Sequence, residues 1–243
     1  MSSALPPHPP LDKYYEGAAR RERFVRDIFD ETAEWYDSII GMLSFGSGGL
    51  YRRMALERGG LQRGMRLLDL ATGTGVVARA ASAITDHIVT ADASLGMLLA
   101  GRAKTRLPAV EAKAEGLPFR GGVFDMVSIG YALRHFADLQ AVFAEFHRIL
   151  RPGAKILILE ITRPRSRFGL AVLRFHLNRV VPLFARLRSG SRDAQKLMHY
   201  FWDTIDSCVP PDTILSALRA AGFDDVRRHV ELGVFSEYTG VKR

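Results

Sequence analysis

Apolar and polar positions along this chain fall into blocks of two periods. From Arg20 to Tyr36 the apolar positions Phe24, Ile28, Trp35 and Tyr36 recur at helical spacing, which predicts a helix. Leu43-Ser44-Phe45-Gly46-Ser47-Gly48-Gly49 reads as a loop and Leu50 to Leu56 as a second, short helix. A strand follows over Arg66–Ala71, with a helix to about Ile84, then a strand over His87–Asp92 with a helix from Leu95 to about Arg106. Ala109–Lys113 reads as a short strand and Gly122–Ile129 as a fourth, with Phe124–Ile129 as its apolar core. Asp138 is placed to cap a helix over 139–150 whose apolar face is Val142, Phe143, Phe146, Ile149 and Leu150. Pro152-Gly153 breaks the pattern before a fifth strand, Lys155–Ile161. Near the end, Pro210-Pro211-Asp212 opens a helix over Thr213–Ala221 that Gly222 stops.

Strands separated by helices predict an α/β, doubly wound, mostly parallel sheet. The last two strands, Val226–Leu232 and Val234–Lys242, have only Gly233 between them. That is too short for a parallel crossover, so they are expected to form an antiparallel C-terminal hairpin completing a seven-stranded sheet. The first two helices precede the first strand and are expected to lie over the sheet's C-terminal edge, where open α/β sheets bind ligands.

The richest candidate chemistry sits at the first strand–helix junction. Leu68-Asp69-Leu70-Ala71-Thr72-Gly73-Thr74-Gly75 ends an apolar run on an acid and turns on two glycines, which suit backbone that must turn sharply or approach a ligand. Asp92 ends the second strand, where a carboxylate can accept ribose hydroxyls. Ala93 follows it and belongs to the same candidate site. Two ligands fit. Gly73-Thr74-Gly75-Val76-Val77-Ala78 matches the dinucleotide fingerprint, with Asp92 at about the right offset. Against it, Asp69 interrupts the strand before Gly73. The alternative pattern is D-x-G-x-G-x-G, with Ala71 at the first glycine and Asp69 able to bond the turn amides or a ligand ammonium. S-adenosylmethionine carries such an ammonium, and the hairpin also favours it over a nicotinamide cofactor.

Composition bounds the rest. The 243 residues suit one domain over 20–243 after a disordered start at 1–19, whose residues 1–12 carry four prolines. No signal peptide or membrane-spanning run is expected. The single cysteine, Cys208, excludes an intramolecular disulfide or a cysteine-based zinc site and suits a reducing, cytoplasmic compartment. No cluster has metal-ligand spacing, so metal: none is the expectation.

The net charge of +8 is concentrated in 163–192, which holds eight arginines and no acid or lysine. Such a segment suits nucleic acid, an anionic membrane surface or plain solubility. Within it, residues 170–188 are basic and apolar together. Leu173, Leu177, Val180, Phe184 and Leu187 share one side, Arg174, Asn178, Arg179 and Arg186 fall mostly on the other, and Pro182 is expected to kink the helix. A helical lid inserted at about 163–209 is expected. It could lie on a membrane surface, on its own domain or on the partner of a homodimer.

At this point the residues resemble a known family. From about Phe24 to Lys242 the chain is similar to the ubiquinone/menaquinone biosynthesis C-methyltransferases, within the Rossmann-like S-adenosylmethionine-dependent methyltransferases. The resemblance rests on Trp35-Tyr36-Asp37, Leu43-Ser44-Phe45-Gly46, Leu68–Gly75, Ala91-Asp92, Ala114-Glu115-Gly116-Leu117-Pro118-Phe119, Ala132-Leu133-Arg134-His135 and Leu150-Arg151-Pro152-Gly153. It implies a methyl transfer from S-adenosyl-L-methionine to a ring carbon of a prenylated hydroquinone, with another small aromatic substrate as the alternative and no nucleic-acid partner. For a prenylated substrate it implies a cytoplasmic enzyme with peripheral contact at the inner face of the membrane.

It also implies roles. Gly73, Thr74 and Gly75 would hold the methionine end, Asp92 the ribose, and Met97 would pack on the adenine. Lys113 and Ala114 sit where the family binds the adenine edge, and Gly130 where it often has a serine near the cofactor. Arg134 falls on an arginine proposed to act at the reacting ring. Tyr36 divides between a cofactor lid and a buried helix face.

Three departures stand out. Lys113 replaces a usual Asn or Asp and cannot accept a hydrogen bond. His135 replaces a usual asparagine. Trp202–Val209 differs from the family's stretch. A hydroquinone carbon becomes nucleophilic when the neighbouring hydroxyl loses its proton. Arg134 then suits stabilising a phenolate, and His135 suits taking the proton. The structural alternatives are a salt bridge for Arg134 and a helix-capping loop residue for His135. His199 and Tyr200 are further substrate-contact candidates, with core packing as the alternative.

Overall fold

A computed structural model describes residues 4–43, 48–183 and 192–243, with the side chains of 18, 19, 39, 42, 43 and 192–194 left out. Among these, seven strands form one sheet in the order β3-β2-β1-β4-β5-β7-β6. They are β1 (Leu67–Leu70), β2 (Ile88–Asp92), β3 (Ala109–Glu111), β4 (Phe124–Gly130), β5 (Leu150–Ile161), β6 (Phe223–Glu231) and β7 (Phe235–Lys242). Strands β1 to β5 pair in parallel, and β7 is antiparallel to both β5 and β6. The expected doubly wound sheet with its C-terminal hairpin is present. The hairpin reverses inside the sheet order, so β7 lies against β5 and β6 becomes the edge.

Strands covered on both faces read as continuous apolar runs. β1 is buried at all of its positions and β4 at all but the last. On one face α5 (Leu139–Ile149) buries Val142, Phe143, Phe146 and Ile149. Asp138 caps it as expected, accepting from Gln140 N at 2.9 Å. On the other face α2 (Gly48–Arg58) and α3 (Val76–Ala81) pack over Leu67, Met126 and Leu157. Strand β5 starts five residues earlier than expected. Its register jumps from Phe124↔Leu150 to Met126↔Lys155, so residues 151–154 loop out with Pro152, which has no N–H to offer a ladder.

The helix expected over Arg20–Tyr36 is longer: α1 runs Ala18–Leu43 and roofs the C-terminal edge of the sheet. Two acids moor it. Asp30 accepts from Ser94 Oγ at 2.5 Å and Gly96 N at 2.9 Å at the start of α4 (Leu95–Thr105). Asp37 takes Thr74 Oγ1, Arg79 at 3.1 Å and Lys104 at 2.9 Å. The loop expected at Leu43–Gly49 lies mostly outside the described residues, including Ser44, Phe45 and Gly46.

The disordered start expected for 1–19 does not fit residues 4–16. Leu5 and Pro7 bond Asp138, Leu139 and Val209, and His8 and Tyr15 are buried. Prolines preset this extended path, so little entropy is lost on ordering it.

The segment expected as a lid, about 163–209, holds among its described residues α6 (Arg167–Phe175), a π-helical turn His176–Val180 and α7 (Arg192–Asp206). Pro182 follows the π turn, whose wider winding accommodates a residue that cannot donate its N–H. Leu177 turns inward and Arg174 and Arg179 stay exposed, as the wheel predicts; Phe184, Arg186 and Leu187 lie outside the described residues. The wheel does not anticipate that Phe168, Val172, Phe175 and Leu183 are exposed as well. α8 (Pro211–Ala220) completes the chain's helices as described. Among the described residues no helix is long and apolar enough to cross a membrane.

Candidate functional site

A cavity of about 540 Å³ opens where β1, β2 and β4 end, roofed by α1. Of the residues singled out from sequence, Tyr36, Ala71, Gly73, Asp92, Ala93, Met97, Lys113, Ala114, Gly130 and His135 line it. Asp69, Thr74, Gly75 and Arg134 do not.

The turn after β1 explains the division. Ala71 adopts φ 49° and Gly73 φ 57°, so the chain doubles back immediately beyond the strand. Asp69 is fully buried beneath it. Its Oδ2 accepts from Thr72 Oγ1 at 2.6 Å and Ala78 N at 3.1 Å, and its Oδ1 from Ser128 Oγ at 2.7 Å. Asp69 therefore pins the turn, and the alternative of a ligand ammonium is not met. Thr74 is buried against Asp37, and Gly75 N returns to Thr72 O at 2.9 Å. These two shape the turn from behind.

Asp92 does face the cavity. Its Oδ2 accepts Gly73 N at 2.7 Å and its Oδ1 Ser94 N at 2.9 Å, which fixes the carboxylate rotamer across the turn. Burial raises its pKa to about 6, against the pull of these amides. Met97 lies almost fully buried beside it, a polarizable flat-contact group for a heterocycle. A Cβ on Gly130 would come 2.5 Å from Val77 Cγ2, so a serine there requires the Val77 side chain to shift. Lys113 is exposed and paired with Glu22 of α1 across the mouth, so its ammonium is not offered to the adenine edge.

At the other end, His135 closes a 3₁₀ turn, Leu133–His135, beyond β4. Its ring stacks on Tyr200 at 5.4 Å and Phe201 at 5.8 Å and meets Phe29 edge-on at 5.2 Å. Nδ1 lies 3.3 Å from Tyr200 Oη, and Nε2 is buried with no partner. Burial, and after it the charges of Arg134 and Arg21, hold its pKa well below the usual histidine value, so the ring is neutral at physiological pH. Tyr200 does not line the cavity; it is fully buried in the core against His135, which is the core-packing alternative. His199 does not line the cavity; its Nδ1 lies 3.4 Å from Asn178 Oδ1.

Arg134 is the main correction. It is 1% exposed, ion-paired with Glu160 of β5, and 3.3 Å from Thr204 Oγ1, with Phe201 against its guanidinium. A buried glutamate requires such a partner, so the salt-bridge alternative describes this residue.

Sequence reasoning missed Arg21, Phe29 and Tyr131, which all line the cavity. Extending the period of α1 one turn back from Phe24 puts Arg21 on the buried face, but it sits among Arg20, Arg23 and Arg26, which are exposed. Composition alone cannot single it out. Tyr131 takes φ 63° after the last residue of β4, a conformation no sequence pattern signals here.

The geometry fits a nucleoside-bearing methyl donor: backbone at Gly73 leaves room, Asp92 offers acceptors, and Met97 offers an apolar contact. Among the described residues no group of His, Cys, Asp and Glu could hold a metal ion. The model of the ubiE/COQ5 methyltransferase family matches residues 17–242. The ubiquinone/menaquinone biosynthesis C-methyltransferase of Idiomarina loihiensis is 30% identical over 96% of both chains. The demethylmenaquinone methyltransferase of Thermus thermophilus is 34% identical over 88% of this chain and 99% of its own. Among solved structures, an S-adenosylmethionine-dependent methyltransferase of Thermotoga maritima shares the fold with a TM-score of 0.64 at 17% identity, over 90% of this chain and 99% of that one.

Proposed function

The chain belongs to the ubiE/COQ5 methyltransferase family, is an S-adenosylmethionine-dependent methyltransferase, and, we propose, methylates a ring carbon of a prenylated hydroquinone. The observation that carries this reading is the unpartnered Nε2 of a neutral His135, buried at the end of the cavity away from Asp92. An aromatic box around an acceptor nitrogen suits a phenolic ring.

The residues divide the work. Asp92 accepts the ribose hydroxyls, Gly73 and Ala93 supply close backbone, and Met97 and Ala114 flank the adenine. S-adenosylmethionine supplies an electrophilic methyl: the ring carbon forms the new C–C bond as the C–S bond breaks and its electron pair leaves with sulfur. Tyr200 Oη takes the Nδ1 proton side of His135, which leaves Nε2 as the acceptor. His135 Nε2 removes the quinol hydroxyl proton, and the electron density this releases makes the neighbouring carbon nucleophilic. After transfer His135 returns its proton to the ring oxygen, its neutral Nε2 takes the hydrogen on the methylated carbon as the ring regains aromaticity, and that proton passes to solvent when the product leaves. Phe29, Phe201 and Tyr200 exclude water from this exchange.

A polyprenyl tail keeps such a substrate in a bilayer, and exposed Phe168, Val172 and Phe175 with Arg167 and Arg174 give α6 a face suited to an anionic membrane. Mass spectrometry of quinones from cells lacking the protein tests the substrate. The expected result is loss of one methylated quinone and accumulation of the species lighter by one CH₂; an unchanged quinone profile overturns it. Recovery on anionic vesicles should exceed that on neutral ones and fall with salt. Equal recovery on both overturns the membrane contact.

A further inference from the structure

Among the described residues Arg21, Arg52 and Arg134 are buried; Arg21 and Arg134 are the two whose charges act on His135, and of these two only Arg134 has an acid. Arg134 is paired with Glu160. Arg21 of α1, 5% exposed and lining the cavity, is ion-paired to no carboxylate among the described residues, and its Nε has no partner. The acids beside it are otherwise engaged: Glu22, next in sequence, with Lys113, and Glu160 with Arg134. Arg21 is held instead by neutral acceptors. Its Nη2 donates to His8 Nε2 at 3.0 Å and to the Arg134 carbonyl at 2.8 Å, and it lies beside the Tyr200 hydroxyl. His8 Nδ1 donates to Pro9 O at 2.6 Å, so Nε2 carries the lone pair that Arg21 needs. Burial and the Arg21 charge lower the pKa of His8 to about 4, so it stays an acceptor.

A buried cation without a counter-ion costs stability, and a fold keeps one where a ligand brings the anion. We propose that Arg21 is the anion-binding group of this site and holds the oxygen of the substrate in its phenolate form. It takes the role that the family resemblance implied for Arg134. The assignment rests on the phenolic-substrate reading above and adds the group that stabilises the charge after His135 has taken the proton. The phenolate oxygen would meet the Arg21 guanidinium on one side and His135 on the other. The residues 4–16 segment thereby acquires a function, because His8 seats Arg21.

The sign of a bound phenol's ionisation tests this. Burial alone raises a phenol's pKa, whereas an unpaired guanidinium lowers it. The whole protein, saturated with S-adenosylhomocysteine, is titrated with 4-nitrophenol and read by phenolate absorbance. Binding should lower the probe's pKa by about one unit or more, a tenfold change in ionisation. Arg21→Lys should retain most of the shift and Arg21→Gln should abolish it, with S-adenosylhomocysteine affinity within about twofold of wild type. Turnover of Arg21→Gln should fall about 10²–10³-fold, as for the loss of one preorganised donor. A raised pKa of the bound probe in the wild-type protein overturns the proposal without any variant. So does an Arg21→Gln protein that binds nitrophenolate as wild type does. If the probe is bound as phenolate through Arg21 while no quinol is methylated, the anion site stands and the quinol reading fails.

Discussion

Across the cavity, the sheet edge and the cap face one another with different materials. On the sheet edge the working groups are backbone and fixed rotamers: Gly73 at φ 57°, Gly130 against Val77, and Asp92 held by two amides. On the cap they are side chains from segments far apart in sequence: His8 and Arg21 near the start, His135 after β4, and Tyr200 on α7. The first wall needs only one strand–turn–helix and its neighbour to exist. The second exists only once the whole chain has closed, and its chemistry depends on what each side chain is paired with. Arg134 and Arg21 make the point, since the same residue type becomes a strut beside Glu160 and an unpaired cation 113 positions earlier.

The comparison breaks first at Arg134. Arg134→Ala should destabilise the protein by about 3–5 kcal/mol, because Glu160 is left buried and unpaired. Denaturant melts check this, and Arg134→Ala with Glu160→Ala should recover part of the loss. A folded, fully stable Arg134→Ala with slowed turnover would return the arginine to the chemistry. Next is His135. His135→Phe keeps the aromatic box and removes Nε2, so turnover should fall about 10²–10³-fold while S-adenosylhomocysteine affinity holds. The wild-type rate should show no inflection near the ordinary histidine pKa of 6.5, because burial keeps the ring neutral to lower pH.

Asp92 tests the other wall. Its charged acceptors should contribute about 1.5–3 kcal/mol to cofactor binding, so Asp92→Asn should weaken it roughly tenfold to a hundredfold by calorimetry. Affinity should also fall as pH drops below about 6, where the carboxylate protonates, and the Asn variant should lack that fall. The stability of the ligand-free protein runs oppositely. A carboxyl whose pKa rises from 3.8 to about 6 on folding favours the folded state below pH 3.8, and that contribution is lost as pH rises through 6. The wild-type melting temperature should therefore gain on acidification from pH 7 to 5 relative to Asp92→Asn. The smallest effect belongs to Ala71, whose φ of 49° strains an L residue. Ala71→Gly should leave cofactor binding intact and change stability by less than about 1 kcal/mol, relief of strain being offset by chain entropy. A large loss of affinity would show that the methyl itself contacts the ligand.

The sequence alone determined the sheet, its hairpin, the capped α5 and the ligand-facing turn, because hydrophobic period, Gly and Asp positions act locally. It also picked out Asp92, Met97 and His135 as cavity residues. Only the tertiary structure decided which polar groups are partnered. Asp69 lies one residue before the end of β1 and Asp92 ends β2, yet one lies under the turn with Thr72, Ala78 and Ser128 and the other faces the cavity. The proline-rich start reads as disordered until Leu5, Pro7 and His8 find their partners on distant segments. Arg21 reads as one of several surface arginines until the roof closes over it. Burial of a charge is a property of the closed chain, and so is the presence or absence of its counter-ion. Local spacing carries neither, which is why the fold was legible from sequence and the assignment of the two arginines was not.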